Sequence, residues 1–245
     1  MNNKTVLVTG SSIGLGSEII KKFAENNYNV IINYLNHEKE ANDLKKYVEE
    51  KNNIKALCIK CDITNEDDIK KMFNESIKEF NNIDVLINNA GIAIDTTFDD
   101  KTKDNFMKIL EVNLVGTFLV SRIIANHMYK NKHGQIINIA SNNGIDAYYE
   151  YSLDYDASKA GVINLTHNLA NHYAPFVRVN AVCPGWINTT MNKNMDKEYK
   201  SQEENKILLG RFANPEEIAD FIYNISLSDY LNDSIIKIDG GIKHE

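Results

Sequence analysis

Proline is nearly absent from this chain: its 245 residues hold only Pro175, Pro184 and Pro215. No proline-rich linker divides the sequence, so a single domain over residues 1–245 is expected. Cysteine is equally scarce. Cys58, Cys61 and Cys183 are an odd number and too few for a disulfide framework. Cys58 and Cys61 form a C-x-x-C string, but on a strand positions i and i+3 face opposite ways, and no second pair completes a zinc site. The histidines lack metal spacing: no H-E-x-x-H occurs, and His167 and His172 are five apart. No metal site is therefore expected. An excess of basic charge is missing too, with 27 Lys and Arg against 34 Asp and Glu and a formal net charge of -7. Nucleic acid and anionic membrane are thereby disfavoured as main partners. The stretch Lys130-Asn131-Lys132-His133 reads as a solvated loop. No run approaches the roughly 20 apolar residues of a membrane span. The first apolar run, Val6-Leu7-Val8, is too short for a signal peptide. A cytosolic protein is the resulting expectation.

What is present is an alternation. Short, β-branched apolar runs at 6–8, 30–32, 54–59, 85–87, 136–139, 177–182 and 235–238 read as seven strands covered on both faces. Amphipathic stretches at 17–25, 38–51, 66–80, 103–129, 158–172 and 216–226 read as helices between them. Strand–helix alternation with right-handed crossovers predicts an α/β fold, a doubly wound seven-stranded parallel sheet of Rossmann type with helices on both faces. Pro215 suits the first turn of the last helix. The least patterned region, residues 188–211, is expected to be a substrate lid.

A glycine-rich turn, Thr9-Gly10-Ser11-Ser12-Ile13-Gly14-Leu15-Gly16, follows the first strand directly and opens a helical pattern. Strand, glycine turn and helix are the context that holds a pyrophosphate. Gly10 permits the tight turn, Gly14 the close approach of backbone to phosphate, and Gly16 the packing of helix on strand. The helix N-terminus offers free N–H groups and a partial positive charge to the anion.

The spacing G-x-x-x-G-x-G, together with Asn88-Asn89-Ala90-Gly91, Cys61-Asp62, Tyr155-Asp156-Ala157-Ser158-Lys159, Pro184-Gly185-Trp186-Ile187 with Thr189, and Asp239-Gly240-Gly241, resembles the short-chain dehydrogenase/reductase family over nearly the whole chain. The pattern is most similar to 3-oxoacyl-[acyl-carrier-protein] reductase-like and glucose dehydrogenase-like members. The resemblance implies an NAD(P)-dependent oxidoreductase. It implies cofactor contacts from Gly10, Ser12, Ile13, Gly14, Gly16, Tyr34, Asn36, Asp62, Ile63, Asn89, Ala90, Gly91, Pro184, Gly185, Ile187 and Thr189, with Asp62 on the adenine and Lys159 on the nicotinamide ribose. It also implies that Ser141 polarises the substrate carbonyl, and that Asn113 holds a water in a proton relay.

Reduction of a ketone needs a proton donor where charge builds on oxygen. Tyr155 can supply the proton, but a free tyrosine has a pKa near ~10. Lys159 lies four residues on, so the two share a helix face, and its charge is expected to favour phenolate by roughly two pKa units. Asp154 and Asp156 flank Tyr155; they read as first-turn acids favoured by the helix dipole, or as acceptors for a hydroxyl-rich or cationic substrate. The gap from Ser141 to Tyr155 is one residue longer than the family pattern leads one to expect, and Asn232-Asp233 stands where many members have Thr-Gly.

Cofactor choice turns on the end of the second strand, where NAD-specific members carry an acid. Tyr34 occupies that place, so NADP is the expectation over NAD. Ser12, Asn33, Asn36, His37 and Lys39 are the candidate phosphate contacts. The substrate is expected to be a small carbonyl or alcohol. One reading is a 3-oxoacyl group on acyl carrier protein, with Lys132 docking the acidic carrier; Phe176 stands where a second base is expected, and the net charge of -7 disfavours that partner. The other is a small alcohol, polyol, sugar or sterol, held among Tyr148, Tyr149, Tyr151, Trp186, Met191 and Met195. A catalytically inactive dinucleotide-sensing regulator is the alternative of a different class, and it would be expected to lack one of Ser141, Tyr155 or Lys159. By resemblance, helices 103–129 and 158–172 would form the interface of a homodimer or homotetramer.

Overall fold

A computed structural model describes residues 3–189 and 195–243. It contains the expected seven strands, all parallel and in the order β3-β2-β1-β4-β5-β6-β7: β1 (Thr5–Val8), β2 (Asn29–Tyr34), β3 (Ala56–Lys60), β4 (Val85–Asn88), β5 (Gln135–Ile139), β6 (Arg178–Pro184) and β7 (Ile235–Ile238). The order reverses at β1, which pairs with β2 on one side and β4 on the other. Such a switch point opens a crevice beyond the strands' carboxyl ends, where ligands bind in this architecture.

Alternating side chains feed two cores. Val6, Val8, Val30, Ile32 and Ile87 pack with Ile19, Ile20, Leu44, Val48, Ile218 and Ile222. That face is covered by α1 (Gly14–Glu25), α2 (Glu38–Lys51) and α8 (Pro215–Ser226). Leu7, Ile31, Leu86 and Ile136 face the other way, against Ile69, Met72, Val120, Ile124 and Leu169. Their cover is α3 (Glu66–Phe80), α5 (Thr117–Lys130) and α6 (Leu153–Tyr173). The strands are apolar throughout because both faces are buried. Cys58 and Cys61 diverge as expected: the first packs beside the α1/α2 core, the second lies inside the other.

The chain departs from the expected elements in three places that matter for the site. The predicted helix 103–129 is not one regular helix. It runs as α4 (Lys103–Leu110), a π-helical turn (Glu111–Gly116) and α5. Over Lys103–Lys130 it is long and apolar enough to cross a membrane by length and composition alone, and 44% of its most apolar window is buried inside the protein. Helix α6 begins at Leu153, five residues before the expected start, which puts Tyr155 in its first turn. Within 188–211 a helix, α7 (Lys197–Lys206), is followed by a bridge between Ile207 and Ile242. Residues 190–194 of that expected lid, Met191 included, lie outside the described residues.

Asn232-Asp233 also finds its explanation. Asp233 adopts a left-handed φ of 59°, a conformation that Asp tolerates better than most residues other than glycine. Its carboxylate pairs with His167, and Asn232 Oδ1 accepts from the Val179 N–H at 2.9 Å.

Candidate active site

The turn between β1 and α1 is built by backbone geometry. Gly10 and Gly14 take left-handed φ values of 58° and 61°, which side chains resist. A Cβ on Gly16 would stand 2.6 Å from Asn89 Nδ2 and 2.7 Å from the Gly10 carbonyl. The Asn89 amide donates to the carbonyls of Thr9 and Gly10 at 2.9 and 3.0 Å. Thr9 Oγ1 accepts from the N–H groups of Asn89 and Ala90, each at 3.0 Å. The turn is thus stitched to the end of β4 across the crevice. Helix α1 has Ile13 at its N-cap, no side-chain cap and no acid in its first turn. Its orphan N–H groups and positive dipole end are left for an anion, a fit to the pyrophosphate of a dinucleotide.

At the adenosine end the candidates divide. Asn33 is buried and committed: its Oδ1 accepts from Gly10 N at 2.9 Å and its amide donates to Cys61 O at 3.1 Å. It is not available to a phosphate, which corrects the expectation. Lys39 pairs with Asp43 at 2.6 Å. Ser12 is buried, whereas Asn36 and His37 are exposed. Tyr34 lies in the α1/α2 core, its hydroxyl bonded to Glu38, and burial raises its pKa. Asp62 turns one oxygen onto Thr64, accepting from its N–H and hydroxyl at 2.9 and 2.8 Å. The Ile63 side chain is buried against Gly116. Gly185 packs on Asp239, where a Cβ would come within 2.8 Å, and its N–H donates to Ile238. Pro184 closes β6, Ile187 bridges to Ala213, and Thr189 N–H donates to Ile187 O.

Ser141, Tyr155 and Lys159 meet at the carboxyl ends of β5 and β6. Lys159 is buried, and its Nζ donates to Ile139 O at 2.7 Å while lying 5.4 Å from the centre of the Tyr155 ring. Burial pushes its pKa down to about 8. Burial pushes Tyr155 up to about 12; a hydrogen bond with Ser141 pulls the other way, and the Asp156 charge adds to the rise. The helical spacing alone suggested a phenol lowered by Lys159. In the folded protein the loss of water around the phenolate raises it instead. A phenol held neutral at physiological pH is a proton donor.

Asn113 sits in the π-helical turn, a feature frequent at functional sites. Its Oδ1 accepts from Ile92 N at 2.8 Å, and its Nδ2 donates to Ile92 O at 2.9 Å and Ser158 Oγ at 3.0 Å. The side chain therefore clamps the loop after β4 against α6. Gly91 leaves room there, since a Cβ would meet Asn113 Oδ1 at 3.3 Å and Lys159 Nζ at 3.6 Å.

The two flanking aspartates do lie in the first turn of α6, and both are also tied to side chains from other segments. Asp156 accepts from Asn143 Nδ2 at 2.7 Å, Tyr149 N at 2.9 Å and Ser152 Oγ at 3.2 Å. Asp154 is fully buried and paired with Lys101 at 3.0 Å. Lys101 carried no signal in the sequence, being one exposed-looking lysine among many.

Beyond Tyr155 stands an aromatic wall. The Tyr149 ring lies 5.3 Å from Tyr151, 6.2 Å from Tyr199 and 6.4 Å from Trp186, and Trp186 stacks on Phe212. Tyr148, expected here, is instead 91% exposed. Met195 is half-buried just before α7. Tyr199 was missed; the signal for it was a lone aromatic in the charged helix α7. Lys132, expected near the catalytic mouth, lies in the α5–β5 turn, at the amino end of β5 and so at the opposite end of the sheet from Ser141. Its Nζ rests over the Phe176 ring at 5.6 Å.

The short chain dehydrogenase family model matches residues 4–200. The 3-oxoacyl-[acyl-carrier-protein] reductase FabG of Aquifex aeolicus is 36% identical, covering 99% of this chain and 98% of its own. The 3beta-hydroxysteroid dehydrogenase 1 of Eggerthella lenta is 33% identical over 99% of this chain and 94% of its own. Among solved structures, a short-chain type dehydrogenase/reductase from Mycobacterium marinum superposes with a TM-score of 0.91 at 32% identity, covering 97% of this chain and 94% of that one.

Proposed function

The chain belongs to the short-chain dehydrogenase family and is an NAD(P)-dependent oxidoreductase, and on that premise we propose that it interconverts a ketone and a secondary alcohol with Tyr155 as general acid and base. The observation that carries this reading is the buried meeting of Ser141, Tyr155 and Lys159 beside the glycine turn. When bound, the nicotinamide cofactor supplies or accepts the hydride. Ser141 donates a hydrogen bond to the substrate oxygen. Tyr155 gives its phenolic proton to that oxygen in reduction and takes it back in oxidation. Lys159, charged below about pH 8, stabilises the phenolate that this transfer leaves. Asn113, by family resemblance, helps to return the proton through water. Gly10, Ser12, Ile13, Gly14 and Gly16 would cradle the pyrophosphate, and Tyr34, Asn36, Asp62, Ile63, Asn89, Ala90, Gly91, Pro184, Gly185, Ile187 and Thr189 would line the rest of the cofactor. The complete set of Ser141, Tyr155 and Lys159 argues against a sensor without catalysis.

For the cofactor we keep NADP over NAD. Lys60 supports this: it is in register with Tyr34 across β2 and β3, is exposed, and has no ion pair among the described residues. A catalytic efficiency clearly higher with NADH would overturn the preference. For the substrate, the aromatic wall and the distance of Lys132 from the mouth favour a small free molecule. Transfer on acyl carrier protein is the second reading, favoured by the similarity to the Aquifex aeolicus reductase. The deciding experiment offers an acetoacetyl thioester, its carrier-bound form, cyclohexanone and a polyol with both cofactors, and follows absorbance at the nicotinamide band. Turnover of free carbonyls is expected; turnover confined to the carrier-bound form would establish the second reading, and none on any carbonyl would refute the function.

We also infer assembly as a homodimer or homotetramer in the cytoplasm. Met107, Val115 and Phe118 are exposed apolar side chains along the 103–130 element. Light scattering on the eluted protein tests it, and a monomer would end the inference.

A further inference from the structure

We propose that Lys101 and Asp154 form a positioning pair that holds Tyr155 in its catalytic place; this rests on the reading of Tyr155 as proton donor. The pair is enclosed, with side chains 4% and 0% exposed. Every ammonium proton of Lys101 has an acceptor: Ile94 O at 3.0 Å, Tyr151 O at 3.1 Å and Asp154 Oδ1 at 3.0 Å. These acceptors belong to two segments, the loop after β4 and the stretch that leads into the first turn of α6. Ile94 follows β4, Tyr151 precedes α6, and Asp154 is the residue before Tyr155 in the first turn of α6. Asp154 Oδ1 also accepts the Tyr155 backbone N–H at 3.0 Å. Lysine 101 therefore acts on Tyr155 through one shared carboxylate oxygen.

A buried ion pair is a poor source of stability, because taking both charges out of water offsets their attraction. Here the cost is visible, since Asp154 Oδ2 is buried with no hydrogen-bond partner among the described residues. What such a pair supplies is fixed geometry. Helix α6 needs it, because Ser152 at its N-cap provides no side-chain cap. Asp156 performs the matching task on the other side, anchoring the segment after β5 through Asn143 and Tyr149. The two carboxylates flanking Tyr155 thus pull in different directions, one to the loop after β4 and one to the loop after β5. The phenol is set between them.

The test compares wild type, Asp154→Asn, the double variant Lys101→Met/Asp154→Asn, and Tyr155→Phe. For each, kcat is measured with an acetoacetyl thioester and cyclohexanone, cofactor Kd by nucleotide fluorescence, and Tm. The double variant removes both charges together, so it avoids the unpaired buried ion that would unfold a single Lys101 variant. Expected are a kcat about tenfold lower or more in both Asp154 variants, an unchanged cofactor Kd, and a double-variant Tm equal to or above wild type. Wild-type kcat in the double variant, with Tyr155→Phe inactive, would overturn the positioning role and leave the proton donor standing. Loss of kcat only in step with Tm, or together with cofactor Kd, would reduce the pair to scaffolding and also overturn it. Full turnover by Tyr155→Phe would overturn both readings at once.

Discussion

The two sides of the crevice are built from different materials. Around the glycine turn on the cofactor side the joints are neutral: glycine backbone, Thr9, Asn33 and Asn89, with α1 uncapped and free of acids in its first turn. On the substrate side the joints are charged: Lys101 with Asp154, Asp156 with its three donors, and Lys237 with Asp146. The difference follows from what each side receives. A dinucleotide brings its own negative charge, so any acid near α1 would repel it. On the substrate side the carboxylates are spent as internal ties. Helix α3 sharpens the point. It also starts at the carboxyl ends of the strands, yet Asn65 caps it and Glu66, Asp67 and Asp68 fill its first turn. Its cap takes the N–H groups of Asp67 and Asp68, leaving fewer for a ligand.

This contrast can be broken in a graded way. The largest effect is expected where the two sides meet: Tyr155→Phe should lower kcat by about three orders of magnitude while cofactor affinity holds, since it removes the proton donor alone. Cofactor titration beside steady-state kinetics checks this. Next, Ile13→Asp would give α1 the self-cap that α3 has. A charge about 5 Å from the pyrophosphate at an effective dielectric of about 20 disfavours binding by roughly 3 kcal/mol, near a hundredfold in Kd, whereas Tm should hold or rise. Unchanged affinity in that variant would refute the neutral-cradle account. A smaller effect concerns pH. Lys159 is depressed to about 8, so it is charged below that pH and neutral above it. Reduction should therefore weaken as pH climbs through 8, and a pH–rate profile of Lys159→Met should lack that limb. Tyr155, raised to about 12, does not titrate in that range. The smallest effect belongs to α3: Asn65→Ala should cost about 1 kcal/mol of stability by denaturant titration, and nothing in cofactor affinity.

Much of the cofactor side was legible because its demands fall on backbone. A residue that must take a left-handed φ, or lie within van der Waals reach of another chain segment, has to be glycine, and Gly10, Gly14 and Gly16 announce themselves at their spacing. Ser141, Tyr155 and Lys159 were legible as a set by the same adjacency of strand ends and helix. Asn33 misled, because an amide beside the expected phosphate site looks like a ligand until its partners in Gly10 and Cys61 are seen. The π-helical turn was hidden, since one extra residue per turn at 111–116 barely disturbs an apolar pattern. Lys101 was invisible: its partner Asp154 is 53 positions away, and nothing local distinguishes a lysine that will be buried from one that will be solvated. Tyr199 was hidden for a related reason, being carried beside Tyr149 by a helix that is otherwise polar and charged.

By itself the sequence determined the alternation of strands and helices, and it marked the glycine turn after β1 and Tyr155 as the residues on which the proposed chemistry rests. These depend on period, on glycine and on short-range spacing, all of which are local. Only the tertiary structure decided the sign of the Tyr155 shift, the burial of Asp154 against Lys101, and which aromatics cluster around Tyr149. Each of these is set by how much water remains around a group and by which distant segment replaces it. That information exists only once the chain has packed.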